Sequence, residues 1–432
     1  MQLAEVFAKV AGQGSGVEFR AYDGSRFGPL EACARIEIRS PRAVRYLVQA
    51  PGELGLSRAY VAGDLEVHGD LHDVLGRLSR HDAADLSWPE RWEVLRALGL
   101  RTLRPTAPPP QEVRLHGRRH SKRRDAAAVA HHYDVSNYFY ALVLGPSMAY
   151  TCAVYPRADA SLEEAQATKF DLVCRKLGLR PGMRLLDVGC GWGGMVLHAA
   201  EHYGVQALGV TLSKQQAHWG REAIAEAGLS DRAELRWLDY RDVSEGDFDA
   251  VSSIGLIEHV GLAQLPAYFA FLRGRLRPGG RLLNHNITRP SSSDQGLARR
   301  GLFARYVFPD GELLAPGRIA TTMHDADLEL RHEENLREHY ARTLKAWGAN
   351  LEAHWPEAVA EVGEARARVW RLYMAGSRLG FEQDAIELHQ LLGVRTEAGD
   401  AAMPLRPDWE PAAFADAPSL LERSLETADG DR

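Results

Sequence analysis

The period of apolar and polar positions changes along the chain, and the changes divide it. Residues 17–22 and 34–39 alternate apolar and polar, as half-buried strands do, and Asp23-Gly24 supplies a turn after the first. Residues 41–48 and 70–78 read as helices, with the stretch 57–67 between them. Residues 1–100 are therefore expected to form a small α+β module, and Pro105, Pro108, Pro109 and Pro110 then mark a linker over 101–125. Ser161-x-x-Glu164 is a capping box that opens a helix, on which Leu162, Ala165, Phe170, Val173 and Leu177 recur at helical spacing. Short apolar runs at 183–188, 205–210, 233–238, 248–254 and 281–287 alternate with helical stretches, the βαβ rhythm of a parallel sheet. This predicts an α/β doubly wound domain over 126–400. Residues 290–320 read as a loop, a lid or substrate wall, and 328–395 as amphipathic helix. The Pro- and acid-rich tail, 401–432, is expected to be disordered.

One of the apolar runs ends in Leu185-Leu-Asp-Val-Gly-Cys-Gly-Trp-Gly-Gly194. Glycines after the first strand of such a sheet let backbone approach a ligand at a helix N-terminus. Gly189, Gly191 and Gly194 satisfy the dinucleotide pattern GxGxxG, which alone is a weak signal. Asp187-x-Gly189-x-Gly191-x-Gly193 equally fits the S-adenosylmethionine (SAM) loop of methyltransferases. A nicotinamide cofactor wants a carboxylate at the end of the second strand for its ribose. Here that strand ends in Thr211-Leu-Ser-Lys-Gln-Gln216, where Ser213 and Gln216 suit a capping box. The third strand ends in Asp239-Tyr240, able to hold an adenine amino group and stack on its ring. SAM is the better fit, and the fold class becomes a Rossmann-like SAM-methyltransferase sheet with a small α+β N-terminal domain.

Composition narrows the setting. A formal charge of −6 over 432 residues gives no field that points to nucleic acid. Cys33, Cys152, Cys174 and Cys190 lie far apart without metal-ligand spacing, so neither a disulfide framework nor a metal site is expected. Charges are spaced through the first ten residues, unlike a signal peptide, and no apolar run approaches the ~20 residues of a membrane span. Within this acidic chain, Arg114-Leu-His-Gly-Arg-Arg-His-Ser-Lys-Arg-Arg124 is a basic block. It is either a solvated linker or a contact with an anionic membrane, where each cation contributes about 1 kcal/mol.

Ligands of open α/β sheets sit beyond the carboxyl ends of the strands. Glu258 follows the fourth strand and His285 lies near the end of the fifth, on the same rim as the glycines. They suit a general acid/base pair or, more plainly, a structural ion pair or cap. Ala130-His-His-Tyr-Asp134 and Tyr150-Thr-Cys152 precede the core domain and suit a segment folded over the cofactor. Cys152 alone reads as a buried thiol, and Tyr340 as a half-buried aromatic.

His132-Tyr-Asp134, Tyr150-Thr-Cys152, Leu186-Asp-Val-Gly-Cys-Gly-Trp-Gly193, Thr211-Leu-Ser-Lys-Gln215, Glu258-His-Val-Gly261 and His339-Tyr-x-x-Thr-Leu-x-x-Trp347 occur together in the order seen in cyclopropane-fatty-acyl-phospholipid synthases. Residues 58–67 resemble that family's N-terminal domain, so the likeness spans about 15 to 395. It implies an enzyme that transfers a methyl or methylene group from SAM to the cis double bond of a phospholipid acyl chain through a carbocation. A bicarbonate ion then takes the proton, held by positions that match Cys152, Glu258, His285, Ile287 and Tyr340, with Cys152 and Ile287 contributing backbone groups. Tyr150, Thr151, Asp187, Gly189, Gly191, Gly193, Thr211, Ser213, Gln216, Asp239 and Tyr240 are the corresponding cofactor-binding candidates. An anion beside a cation in an apolar pocket is sound electrostatics. The chain reads Leu283-Asn-His-Asn-Ile-Thr-Arg-Pro290 where these synthases more often read Leu-His-Thr-Ile-Gly, which opens a methylene-branched product beside the ring and, with it, a separate reductase as partner. The resemblance further implies unsaturated phospholipid as partner, no nucleic acid, a homodimer, and a cytoplasmic protein on the inner face of the cell membrane. The alternatives are a SAM methyltransferase of soluble small molecules, a nicotinamide oxidoreductase, and a silent lipid-binding protein.

Overall fold

A computed structural model of the chain describes residues 2–11, 15–30, 32–80, 104–113, 136–292 and 301–409, with single positions 96, 102, 122 and 124. His132-Tyr-Asp134, most of the basic block and the tail beyond 409 lie outside the described residues. The chain divides into two compact units: Met1–Arg114 with Leu297–Pro309 and Leu351–Gly380, and Leu115–Gly296 with Asp310–Asn350 and Phe381–Arg432. Units drawn from the sequence are continuous, whereas these packed units are not.

The first unit holds a four-stranded sheet in the order β2-β1-β3-β4, with β1 Glu18–Ala21, β2 Arg26–Phe27, β3 Arg35–Ile38 and β4 Leu65–His68. The alternation in β3 buries Ile36 and Ile38 while Arg35 and Glu37 stay half-exposed. Helices Pro41–Gln49 and Leu71–Ser79 follow the sequence reading, each opened by a side-chain cap: Ser40 accepts from Arg42 N, and Asp70 from Asp73 N. The stretch 57–67 splits into the end of helix Glu53–Val61 and strand β4, with Gly63 turning at φ +73°. From residues 351–380, Arg368 reaches Glu66 at 2.5 Å and Glu364 at 2.8 Å.

The second unit holds a seven-stranded sheet in the order β10-β11-β9-β8-β5-β6-β7. Its strands are β5 Arg184–Val188, β6 Gln206–Thr211, β7 Ala233–Trp237, β8 Phe248–Ile254, β9 Leu276–Thr288, β10 Glu329–Asn335 and β11 Glu387–Val394. Neighbours from β9 through β7 are parallel, and β11 and β10 add on antiparallel. The chain winds outward through β6 and β7, then returns to pair β8 on the other side of β5, so the order reverses at the carboxyl end of β5. Leu185 packs on one face with Val173 and Cys174, and Leu186 on the other with Phe269 and Leu272.

Two expectations are corrected. The stretch 328–395 is not all helical, because β10 and β11 lie within it. β11 is covered on both faces, so Leu388, Leu391 and Leu392 show no alternation and mimic helical spacing. β10, Glu-Leu-Arg-His-Glu-Glu-Asn, is an edge strand, where charge guards the open backbone. The stretch 290–320 is not all loop either: Phe303–Val307 forms a helical turn, and helix Pro316–Asp325 begins at its proline, a residue suited to a first turn. Both capping boxes form by half. Ser161 accepts from Glu164 N and Ser213 from Gln216 N, but the Glu164 side chain bonds Arg157 and that of Gln216 bonds Thr211.

Helix Lys214–Glu226 can approach the glycine loop only because Gly220 lacks a Cβ, which would stand 2.2 Å from Leu235 Cδ2 and 2.8 Å from Trp192 O. Gly220→Ala is therefore expected to lower stability by about 1–3 kcal/mol despite alanine's higher helix propensity. Gly274→Ala, with nothing within 4 Å of the added Cβ, is expected to raise it by about 0.5–1 kcal/mol. Urea titrations of both variants check the pair, and equal shifts would refute the packing argument.

Candidate active site

The order reversal at β5 places Asp187 and the glycine loop at the point where an open sheet binds its ligand. Gly189, Gly191 and Gly193 sit at φ +74°, +55° and +91°, where side chains are strained. Gly189 N and Cys190 N both donate to Val210 O, at 2.9 and 3.0 Å, tying the loop to β6. A Cβ on Gly191 would meet nothing, so that side of the loop is open for a ligand to approach backbone. Asp187 accepts from Ser252 Oγ at 2.6 Å, and burial pushes its carboxyl up to about 6 against that bond and the nearby Lys169.

Around this loop the candidates differ in what remains free. Thr211, Ser213 and Gln216 bond one another: Thr211 Oγ1 donates to Gln216 Oε1 at 2.7 Å, and Ser213 N to Thr211 Oγ1 at 3.2 Å. They shape the rim. Asp239 caps the turn Tyr240–Asp242 and holds Arg241 with both carboxylate oxygens, at 2.8 and 2.6 Å. Burial raises its carboxyl, but these bonds outweigh it and hold it below the usual range. Tyr240 meets Tyr268 and Phe271 edge-on, each at 5.6 Å.

The segment 150–155 is drawn in from far along the chain. Ala153 N donates to Thr343 Oγ1 at 3.0 Å and Tyr155 N to His339 Nδ1 at 2.9 Å, both on helix Arg337–Ala353. The thiol of Cys152 is fully buried, donates to Ala153 O and lies 3.8 Å from Leu336 O; burial pushes it far above the normal thiol range, so it is no nucleophile. Tyr340 stands one turn beyond Leu336, buried 4.6 Å from the Phe381 ring. Thr151 meets the turn after β8, since a Cβ on Gly255 would stand 3.2 Å from Thr151 Cγ2, and one on Gly189 3.2 Å from Leu256. Cofactor loop, β8 turn and the 150–152 segment thus converge. Trp192 of the loop, Tyr140, Tyr150, Trp347 and Tyr340 form a row of rings, with centroids 4.7, 5.9, 5.3 and 6.0 Å apart in turn.

Glu258, His285 and Ile287 come together at the ends of β8 and β9. Ile287 N donates to Glu258 Oε1 at 2.6 Å, and Ile287 O accepts from Asn286 Nδ2 at 3.0 Å, so the Ile287 amide already serves Glu258. Gly255 N donates to His285 O at 2.7 Å, joining the two strands where they leave the sheet. Glu258 is 7% exposed, and its Oε2 finds no partner among the described residues. Burial pushes this carboxyl up to about 7, against the Ile287 bond. His285 is 1% exposed; burial, with Lys169 and Lys176 near, holds the imidazole well below 6.5 and therefore neutral. Its Nδ1 lies 3.1 Å from Gln390 Nε2, and its Nε2 has no partner among the described residues. One carboxylate oxygen and one ring nitrogen are thus left for a ligand.

Sequence reasoning missed Lys169, Lys176 and Gln390. Lys169 is fully buried, donates to Thr151 Oγ1 at 2.8 Å and lies 3.8 Å from the centroid of Phe170; burial pulls its ammonium down to about 7, with Cys152 and Asp187 opposing. The signal was available: Lys169 and Lys176 fall seven residues apart on the apolar face of helix Leu162–Leu177. Gln390 was hidden by the helical reading of β11. Among the described residues no group of three His, Cys, Asp or Glu is placed to hold a metal ion.

Comparison with known proteins agrees with this geometry. Residues 120–391 match the mycolic acid cyclopropane synthetase family. The chain is 53% identical over 409 residues to a probable fatty acid methyltransferase of Mycobacterium tuberculosis, covering 91% of this chain and 95% of that one. It is 33% identical over 362 residues to the cyclopropane-fatty-acyl-phospholipid synthase of Escherichia coli, covering 84% and 88%. Among solved structures, the cyclopropane synthase MmaA2 of M. tuberculosis superposes with a TM-score of 0.57 at 33% identity, over 62% of this chain and 98% of that one. The mycolic acid cyclopropane synthase CmaA1, solved with SAH and CTAB, gives 0.59 at 32% identity, over 62% and 97%. The glycine loop at the switch point, the converging rim and these likenesses lead to one assignment: the chain belongs to the mycolic acid cyclopropane synthetase family and is a SAM-dependent methyltransferase of the cyclopropane-synthase type.

Proposed function

We propose that this enzyme transfers a methyl or methylene carbon to the cis double bond of a phospholipid acyl chain, with a bicarbonate ion at Glu258 and His285 as base. The observation that carries the reading is the pair of buried, unpartnered atoms, Glu258 Oε2 and His285 Nε2. A buried polar atom without a partner costs stability, so a site that keeps two is shaped for a ligand that satisfies both. Bicarbonate offers an O–H to the carboxylate and an oxyanion to the ring N–H, which matches one acceptor and one donor.

SAM fits the loop, since the open side of Gly191 admits close backbone approach. When bound, it supplies an electrophilic methyl group to the double bond, leaving a cation on the acyl chain. The row from Trp192 to Tyr340 offers ring faces to that cation and excludes water. Glu258 and His285 would hold the anion, which would supply a base for a proton of the new methyl, the C–H electrons closing the ring. Where a hydride shifts first, the proton leaves to give a methylene branch, and the polar Asn284 and Asn286 flanking His285 are the local departure that bears on this choice. A reductase would then complete a methyl branch.

We infer that the enzyme works at a membrane surface, peripheral and on the cytoplasmic face, and as a homodimer by the resemblance. No helix among the described residues is long and apolar enough to cross a membrane. Lys122 and Arg124 of the basic block pair with Asp242 and Asp310, at 2.6 and 2.5 Å, so attraction to anionic lipid falls to the block's other cations.

Methyl-labelled SAM and vesicles of a monounsaturated phospholipid are expected to give acyl chains heavier by one CH₂, and fragmentation tells ring from branch. Label that enters only a soluble acceptor would overturn the lipid assignment. A second expectation concerns Glu258. Its ionised form accepts the bicarbonate O–H, so at saturating bicarbonate turnover should rise with pH through about 7, the value to which burial raises this carboxyl. Glu258→Gln turns an NH₂ toward that O–H; turnover should fall at least about 100-fold and lose the pH step, with SAM binding intact. A wild-type rate in this variant would sink the base-site assignment.

A further inference from the structure

His285 does not choose its own protonated nitrogen. Gln390 on β11 lies directly across from it in the sheet register, and Lys176 from helix Leu162–Leu177 stands behind Gln390. Lys176 is fully buried; its Nζ donates to Gln390 Oε1 at 2.7 Å and also bonds Glu334 on β10. An ammonium can only donate, so the amide oxygen must face Lys176. This fixes the amide, and the NH₂ turns toward His285, its Nε2 3.1 Å from Nδ1. An amide nitrogen can only donate as well, so Nδ1 must accept and carries no hydrogen. The ring's single proton is thereby assigned to Nε2, the atom left without a partner among the described residues. Lys176, Gln390 and His285, the three members of the relay, come from three elements more than 100 residues apart in sequence, as the separations of 214 and 105 positions along it show.

We propose that Lys176 and Gln390 are positioning residues that lock His285 in its Nε2–H tautomer and so present a donor to the bound anion. The function given to that donor rests on the reading of His285 as part of the base site; the tautomer itself does not. A carboxylate at 390 would still accept from Lys176 but would demand a proton on Nδ1, turning a lone pair toward the anion. Metal sites orient their histidine ligands by the same device, an outer partner that fixes the ring.

The test is nitrogen NMR on the full-length enzyme with ¹⁵N-labelled histidine, the His285 signals assigned by their loss in His285→Asn. In the wild type at pH 8, Nδ1 should appear as a bare acceptor and Nε2 as protonated. Gln390→Glu should move the proton to Nδ1 and lower kcat about 10–100-fold, the usual effect of removing such a partner, with SAM affinity unchanged. Lys176→Met, which frees the amide to turn, should give a mixture of the two tautomers. A wild-type ring protonated at Nδ1 would overturn the proposal, as would a Gln390→Glu enzyme whose proton has moved but whose kcat has not. Turnover of Glu258→Gln, measured in parallel, judges the base site separately: a wild-type rate there removes the anion and leaves the spectrum of the wild-type ring to judge the relay alone.

Discussion

Ionisable groups are not buried without compensation, and the second unit buries several where β5, β8, β9 and β11 and the helix beneath them meet, among them Lys169, Lys176, Asp187, Glu258 and His285. Asp187 has Ser252, Lys169 has Thr151 and the Phe170 ring, and Lys176 has Glu334 and Gln390. His285 solves the problem by staying neutral, and Glu258 by a carboxyl raised to about 7 and one bond from the Ile287 amide. A parallel sheet is covered on both faces, so a ligand site forms beyond its carboxyl ends, and polar groups within the ladder, such as Gln390 across from His285, need partners of their own.

Function then divides between what is satisfied and what is left over. Thr211, Ser213 and Gln216 bond one another, and Asp239 holds Arg241. The open positions are the Gly191 side of the loop, Glu258 Oε2 and His285 Nε2. In the proposed function the first goes to the cofactor and the other two to the base, and a row of aromatic rings runs from Trp192 of the loop to Tyr340. That arrangement suits a reaction whose intermediate is a cation that must meet an anion but not water.

The parts of this structure legible in the sequence are those set by local pattern. Leu185 to Gly194 gave strand, turn and helix because glycine at positive φ has few other uses, and Ser40, Asp70, Ser161 and Ser213 cap as short polar residues do at helix starts. The rim position of Glu258 and His285 followed from strand order alone. Long-range pairing was not legible. β11 is buried on both faces and lost its alternation, so its place between β9 and β10 was missed, and Gln390 with it. The return of residues 351–380 to the first unit has no local signature either, since Arg368 finds Glu66 some 300 positions away.

The buried, unpartnered atoms also say something about rigidity. Glu258 Oε2 and His285 Nε2 would each gain by turning toward a protein partner, and each is held from doing so by its other end: Ile287 N grips Glu258 Oε1, and Gln390 grips His285 Nδ1. A loose site would collapse and satisfy itself. This one persists because the gripping groups are strand backbone and a side chain anchored by a buried ammonium, both fixed by the sheet. The antiparallel addition of β11 therefore does more than extend the sheet, because it carries Gln390 to His285 on β9. In this fold the preorganisation of the proposed base site is a property of strand pairing, through the register that sets Gln390 across from His285.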